Sequence, residues 1–280
     1  MSLHPYFGQN IALATQHQKG ALIAPYFLDL IGAHIQEINV DTDQLGTFSG
    51  EIERVGTPRE VALKKARLGA MASCNTRAIA SEGSIGADFY LPFINSDFEI
   101  IAFIDDELEI EIIESHRSTE IIAQTLRIKK EDDLSEFLAR ADFPNHKLIV
   151  RSIDKPTKFC KKGIANQSDL NDIVEKGLQK YGELIIENDL RAHCSPSRQK
   201  NISALALKLA QRLQALCPEC QSPGWGVVDF TTGVPCKACG AIAEEAARSE
   251  ILGCPKCSYQ MPGKVLAEMI DPSRCNFCNP

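Results

Sequence analysis

The chain has 280 residues, 44% hydrophobic and 24% charged, with a formal charge of −7 from 30 basic and 37 acidic side chains. Such a length buries a substantial core as one large or two smaller domains, and the acidic balance excludes duplex DNA, which rewards clustered positive charge. No apolar run reaches the roughly 18 residues of a spanning helix, so no membrane role is expected, and MSLHPYFGQNIALATQHQKG lacks a basic region ahead of an apolar one, which predicts a cytoplasmic location.

Along the first 216 residues, strand-like and helix-like stretches alternate, the pattern of an α/β domain. NIALATQH reads as a strand, KGALIAPYFLDLIGA as a helix, HIQEINVD as a strand, residues 57–73 as a second helix and TRAIASEG as a short buried strand. FEIIAFIDDELEIEIIESH then reads as two strands around the acidic turn Asp105, Asp106, Glu107, an antiparallel hairpin in a mixed sheet. DDLSEFLARA and SDLNDIVEKGLQKYG read as helices, HKLIVRSI and ELIIEND as strands, and PSRQKNISALALKLAQRLQAL, 196–216, as a closing helix with proline in its first turn.

Cysteine usage changes abruptly after that helix. Cys74, Cys160 and Cys194 lie before residue 217, whereas the last 64 residues hold eight, as CPEC (217–220), CKAC (236–239), CPKC (254–257) and CNFC (275–278). A domain boundary is expected near 216, with an α/β domain over 1–216 and a small zinc-ribbon-like domain over 217–280. Two residues between thiolates let both reach one ion, and two such knuckles complete a tetrahedral site. Cys217, Cys220, Cys236, Cys239, Cys254, Cys257, Cys275 and Cys278 therefore predict two structural zinc ions. Disulfides rarely persist in a reducing compartment, and four thiolates leave no open position for a reacting water. Sequential pairing (first knuckle with second, third with fourth) and crossed pairing (first with third, second with fourth) use the same residues; shorter loops favour the sequential one. Trp225 and Phe230, between the first two knuckles, form either a small packed face or an exposed contact for a partner, with packing the expected role of Trp225.

TPREVALKKAR, 57–67, carries a capping box: Thr57 as N-cap, Pro58 at the first helical position and Glu60 as the third-position acid. Glu60 thus has a sufficient local role. Its surroundings suggest another. EVALKKAR followed by AIASEGSIG (78–86) resembles the paired motifs of inosine triphosphatase-like enzymes, pyrophosphatases of non-standard purine nucleoside triphosphates. Glu60, Lys65 and Arg67 match the first motif and Glu82 the second, while Thr15 and Lys19 in LATQHQKG match the family's first strand and its phosphate-meeting lysine. RAHCSPSRQKN supplies His193, Ser197, Arg198 and Lys200 where that family has a basic loop before a late helix. Gln16 and His17 replace the expected Gly-Asn, Ser81 replaces a second acid, Ser197 stands where a histidine is common, and the Gly-Tyr-Asp-Pro stretch of the base pocket is missing. The whole chain, with DTDQLGTFSGEIERVGTPRE and the Cys-rich tail, also resembles an uncharacterised bacterial domain family with no assigned activity.

The resemblance implies an inosine triphosphatase-like fold, with 1–216 as a nucleotide- or phosphate-binding domain, and a metal-dependent nucleoside triphosphate hydrolase. Glu82 and Glu60 would hold magnesium or manganese or activate water, and Thr15, Lys19, Lys65, His193 and Arg198 would meet substrate. Asp41, Asp43, Glu51 and Glu53 would add a ligand or close over the cleft. The alternatives are a non-catalytic nucleotide-binding protein whose zinc tail contacts protein or RNA, and a different phosphate-processing enzyme. The first two are separated by whether Glu60 and Glu82 face one cleft near Lys19.

Overall fold

The computed structural model describes residues 3–15, 19–41, 56–153 and 158–280. His17, Asp43, Glu51 and Glu53 lie outside the described residues. The chain begins β1 (Asn10–Ala14), α1 (Gly20–Ile31), β2 (His34–Ile38), α2 (Pro58–Ser73), β3 (Arg77–Ala87), β4 (Asn95–Asp105) and β5 (Ile110–Ser118). Its strands form a five-stranded sheet in the order β2-β1-β3-β4-β5. β1 runs parallel to β2 and β3, whereas β3, β4 and β5 are antiparallel, so the mixed sheet and the hairpin at Asp105 are both present.

Alternation along the strands explains how helices cover both faces. Ile11 and Leu13 of β1 join Ile79, Ile101 and Phe103 in a core shared with Ile23 and Phe27 of α1. The intervening Ala12 and Ala14 point to the other face, where they meet Ala78, Ala80 and the alanines Ala66 and Ala70 of α2. A methyl group at Gly69 would stand 2.9 Å from the Ala14 Cβ, so the small residues in LATQ, AIAS and ARLGA let α2 lie close against the sheet.

A second sheet occupies 125–188: β6 (Thr125–Lys129), α3 (Ser135–Arg140), β7 (Leu148–Ser152), β8 (Cys160–Ile164), α4 (Gln167–Tyr181) and β9 (Glu183–Asn188). It is antiparallel, ordered β6-β9-β7-β8, and its core of Ile128, Phe137, Leu148, Val150, Leu170, Leu184 and Ile186 is separate from the first. β6 and β8 are not apparent from the sequence. Both are edge strands of five residues with charged side chains, TLRIK and CKKGI, and edges need no apolar face on both sides.

The closing helix, α5 (Pro196–Gln214), buries Ile202, Leu205, Ala206, Leu209, Ala210 and Leu213, a stripe at three- and four-residue spacing, in the core it shares with α1. At about 1.5–3 kcal/mol for each large apolar side chain, this stripe makes α5 a main support of the first sheet.

The Cys-rich region is an antiparallel meander of β10 (Gly226–Pro235), β11 (Ile242–Gly253) and β12 (Gln260–Val265). One knuckle precedes β10, one lies in each turn of the meander and one follows β12, so successive knuckles fall at opposite ends of the sheet. The sequential pairing expected from loop length is therefore not formed. Cys217, Cys220, Cys254 and Cys257 gather at one end and Cys236, Cys239, Cys275 and Cys278 at the other, which is the crossed arrangement. Loop closure costs only about 0.6 kcal/mol per doubling of length, less than the hydrogen bonds that the two strand pairings supply together. The first thiol group adjoins the end of α5. Ala215 O accepts hydrogen bonds from the Gly224 and Trp225 amides at 3.0 Å, and Arg212 Nε donates to Gly224 O at 3.2 Å. Trp225 is stacked on Tyr259, with centroids 5.6 Å apart, in the packing role expected of it. Phe230 is exposed. Among the described residues no helix is long and apolar enough to cross a membrane.

Candidate functional site

Five of the residues singled out from the sequence come together around the middle of β3. Thr15 ends β1, Lys19 caps the start of α1, Lys65 projects from the second turn of α2, Glu82 lies in β3 and Arg198 is in the first turn of α5; all five are buried. Strand alternation sorts them by face. Glu82, in phase with Ala78 and Ala80, faces α2 and forms an ion pair with Lys65. Ser81 and Gly83 face the α1 and α5 side. There Lys19 Nζ donates to Ser81 Oγ at 2.8 Å, and Arg198 Nε donates to Glu99 Oε1 at 2.5 Å.

Gly83 is required by this arrangement. A Cβ there would stand 2.4 Å from both Arg198 Nη2 and Glu99 Oε1, so the guanidinium and carboxylate lie directly over bare backbone. Arg198 Nη1 also donates to Leu190 O at 2.8 Å. Below the pair, Asn201 Nδ2 donates to Asp97 Oδ2 at 2.8 Å, while Asp97 Oδ1 and Glu99 Oε2 are buried with no hydrogen-bond partner. Burial, and then the neighbouring Glu99 charge, push the Asp97 carboxyl up to about 7. Burial, and then the Arg198 charge, bring Lys19 down to about 8.

The sequence missed Asp97, Glu99, Asn201 and the role of Ser81. A signal was present: in SDFEIIAFID two acids stand two residues apart, hence on one face, in a strand whose other residues are largely apolar.

The remaining expected residues lie elsewhere. Glu60 is exposed and makes the capping box read from the sequence: its carboxylate accepts from the Thr57 amide at 2.8 Å, and its own amide donates to Thr57 Oγ1 at 3.3 Å. Those bonds hold its carboxyl below the usual range. Arg67 reaches Asp106 and Glu111 on the exposed surface. Lys200 pairs with exposed Glu120, and Asp41 is exposed beyond β2. His193 sits in the single 3-10 turn Ala192–Cys194, where burial, and then the Arg191 charge, lower its basicity. It belongs to the Arg191–Asp189 group instead of the Lys19 cluster.

A histidine does stand against position 197, but it comes from another element. His146 Nδ1 is 2.8 Å from Asp142 Oδ2, and its Nε2 is 2.9 Å from Ser197 Oγ. These spacings match a nucleophile, base and orienting acid. The remaining bonds give a different role: Nε2 also accepts the Ser197 amide at 3.1 Å, and Ser197 Oγ accepts the Ile122 amide at 3.2 Å. The imidazole caps α5 in place of a local side chain, since Ser195 at the N-cap makes no such bond. His146 and Asp142 thereby hold the helix start that carries Arg198.

Between the two sheets lies a cleft of about 320 Å³, one wall of which is Leu190, whose carbonyl accepts from Arg198. Its lining mixes polar side chains, Asn95, Gln124, Asn188, Asp189 and Arg191, with apolar Ile85, Ile149 and Leu190.

The chain belongs to the family described as Domain of unknown function (DUF6671), whose model matches residues 66–280. No curated protein matches the sequence. The DUF6671 match starts within α2 and takes in Glu82, Glu99, His193, Arg198 and all eight tail cysteines, while Thr15, Lys19, Glu60 and Lys65 precede it.

The two thiol groups of the DUF6671 domain have the geometry of metal centres. Paired sulfurs lie 3.8 Å (Cys217 and Cys257), 3.6 Å (Cys220 and Cys254), 3.9 Å (Cys236 and Cys278) and 3.7 Å (Cys239 and Cys275) apart. A tetrahedron with Zn–S near roughly 2.3 Å has edges of about 3.8 Å. The Lys256 and Cys257 amides approach Cys254 Sγ at 3.3 Å, and the Ala238 amide approaches Cys236 Sγ at 3.5 Å, as N–H donors do around thiolate ligands. Among the described residues no comparable oxygen set gathers for magnesium or manganese. Glu82 is bound to Lys65 and Glu60 to its cap, so these two do not present a shared oxygen site.

Proposed function

We propose that the α/β part binds a phosphate-bearing small molecule over Lys19, Lys65 and Arg198, and that this ligand is a nucleoside triphosphate which the protein hydrolyses. The observation that supports this best is the bonding of Lys19. Its ammonium is buried and, among the described residues, donates its hydrogen bond to the neutral Ser81 hydroxyl; the carboxylates whose charges reach it, Glu99 and Glu82, are ion-paired with Arg198 and Lys65, so three cations share two carboxylates and an anion would balance the third. α1 and α5 both begin at the cluster, with Lys19 and Arg198 in their first turns, and helix starts favour anions. The cleft between the two sheets, joined to Arg198 through Leu190, has room for the rest of such a ligand. In this reading Lys19 and Arg198 neutralise phosphate oxygens, Lys65 holds Glu82 in place, and Glu82 orients the attacking water. No step is assigned to a divalent ion, because the described carboxylates do not form its ligand set. The thiol groups hold two zinc ions that stabilise the tail.

One observation favours a second reading, binding without turnover: both acids expected to act in catalysis are otherwise engaged, Glu82 by Lys65 and Glu60 by Thr57. The readings separate in one experiment. Release of phosphate or pyrophosphate is followed over a panel of standard, inosine and xanthosine triphosphates, with and without magnesium or manganese, beside equilibrium binding of the same compounds. Turnover lost in Glu82→Gln supports the hydrolase. Binding without turnover, lost in Lys19→Met, supports the binding protein, and neither activity overturns both.

A further inference from the structure

The connection between β3 and β4 carries a cluster of exposed apolar side chains. In its DFYLPF stretch, 88–93, Phe89 is 87% exposed, Tyr90 73% and Phe93 82%, and Leu91 is exposed beside them. The tip is not loose. Asp88 Oδ1 accepts the Tyr90 and Leu91 amides at 2.9 Å, the Asp88 amide donates to Ile94 O at 2.8 Å, and Arg117 of β5 donates to Asp88 Oδ2 through Nε at 2.6 Å. The Arg117 guanidinium lies 5.2 Å from the centre of the Tyr90 ring. These bonds order the aromatic tip before any partner arrives, which removes much of the entropy cost of binding.

Against the same tip lies a groove of about 360 Å³ walled by Phe89, Tyr90, Phe98, Ser84, Ser96 and Arg117. One short segment thus offers protruding apolar side chains and an apolar recess to receive them. A patch that is both knob and hole fits a copy of itself about a two-fold axis. We propose that two copies of this chain pair through their β3–β4 tips, Leu91 and Phe93 of each entering the groove beside Tyr90 of the other.

Area and charge agree with that occupant. Large aromatic side chains bury on the order of 150–250 Å² each, so the exposed fractions of these four side chains leave roughly 600 Å² of apolar surface per copy. That is the upper end for a monomer's largest patch, and two copies together reach roughly 1,200 Å², the lower edge of a specific interface. The charged groups at the patch, Arg117 and Asp88, neutralise each other, so apposing two copies brings no unpaired like charges together despite a chain charge of −7. The inference is independent of the phosphate reading.

Light scattering and sedimentation of the full chain across a dilution series test it. The expected result is a species of twice 30.8 kDa that dissociates on dilution and is monomeric in Phe89→Ser with Phe93→Ser at unchanged zinc content. Leu91→Glu, which sets two like charges at the contact, provides a second variant expected to be monomeric if the double variant does not fold. A wild-type monomer at every concentration, a dimer that survives either folded variant, or open-ended growth in size would each overturn the proposal. So would a monomer that co-sediments with phosphatidylcholine vesicles, which would assign the tip to a lipid surface.

Discussion

The crossed pairing of the knuckles makes a prediction that separates it from the sequential alternative without a further structure. In the crossed arrangement Cys239 and Cys278 share one centre, together with Cys236 and Cys275. Replacing both by serine removes two of four ligands from the distal centre and none from the other. The variant should hold about one zinc per chain at wild-type affinity. Cys220→Ser with Cys239→Ser instead takes one ligand from each centre, so both ions should pass to a competing chelator at concentrations the wild type resists. Sequential pairing reverses the pattern, because Cys220 and Cys239 would then share a centre and Cys239 and Cys278 would not. The size of the effect makes it readable. Structural zinc contributes on the order of 10–16 kcal/mol of apparent binding energy, whereas loop length distinguishes the pairings by only about 0.6 kcal/mol per doubling. Native mass spectrometry after equilibration with a chelator counts the ions retained. One zinc retained by Cys220→Ser with Cys239→Ser, and none by Cys239→Ser with Cys278→Ser, would refute the crossed assignment.

Three further outcomes concern the buried cluster. In the proposed reading Lys19 meets an anion only while protonated, and its folded pKa is lowered from 10.5 to about 8; triphosphate binding measured by calorimetry should therefore weaken as pH rises through about 8, and Lys19→Met should remove that dependence along with most of the affinity. Asp97 is raised from 3.8 to about 7, so the native state holds a proton that the unfolded chain has released across that window. Denaturant stability should consequently fall as pH rises from about 4 to about 7, and Asp97→Asn should flatten the slope; a parallel slope in the variant would place the proton elsewhere. Arg198→Met strands the Glu99 carboxylate in the interior and should cost about 3–5 kcal/mol in urea unfolding, most of it recovered by adding Glu99→Gln; no recovery would mean that Arg198 stabilises through its other contacts.

Much of the architecture is legible in local pattern. NIALATQH, TRAIASEG and FEIIAFID read as strands because apolar side chains fill both faces of an interior strand, and residues 196–216 read as a helix because apolar positions recur at three and four, the structure ending it at Gln214. The Thr57 and Glu60 capping box is also local, since both partners lie within one helical turn. β6 and β8 were not legible, because an edge strand owes its pairing to β9 or β7 and carries little apolar signal of its own.

The candidate site divides in the same way. Lys19, Lys65, Glu82 and Arg198 stood out by residue type and motif, but the sequence by itself did not say that Glu82 would be bound to Lys65 or that Arg198 would lie on Glu99, 99 positions away. For the tail, the sequence determined which eight cysteines could ligate metal and that they suffice for two four-thiol groups, since Cys-x-x-Cys geometry is fixed within four residues. Which knuckles share a group was decided by the tertiary structure, because an antiparallel meander returns every second turn to the same end, and that depends on strand pairing instead of chain distance.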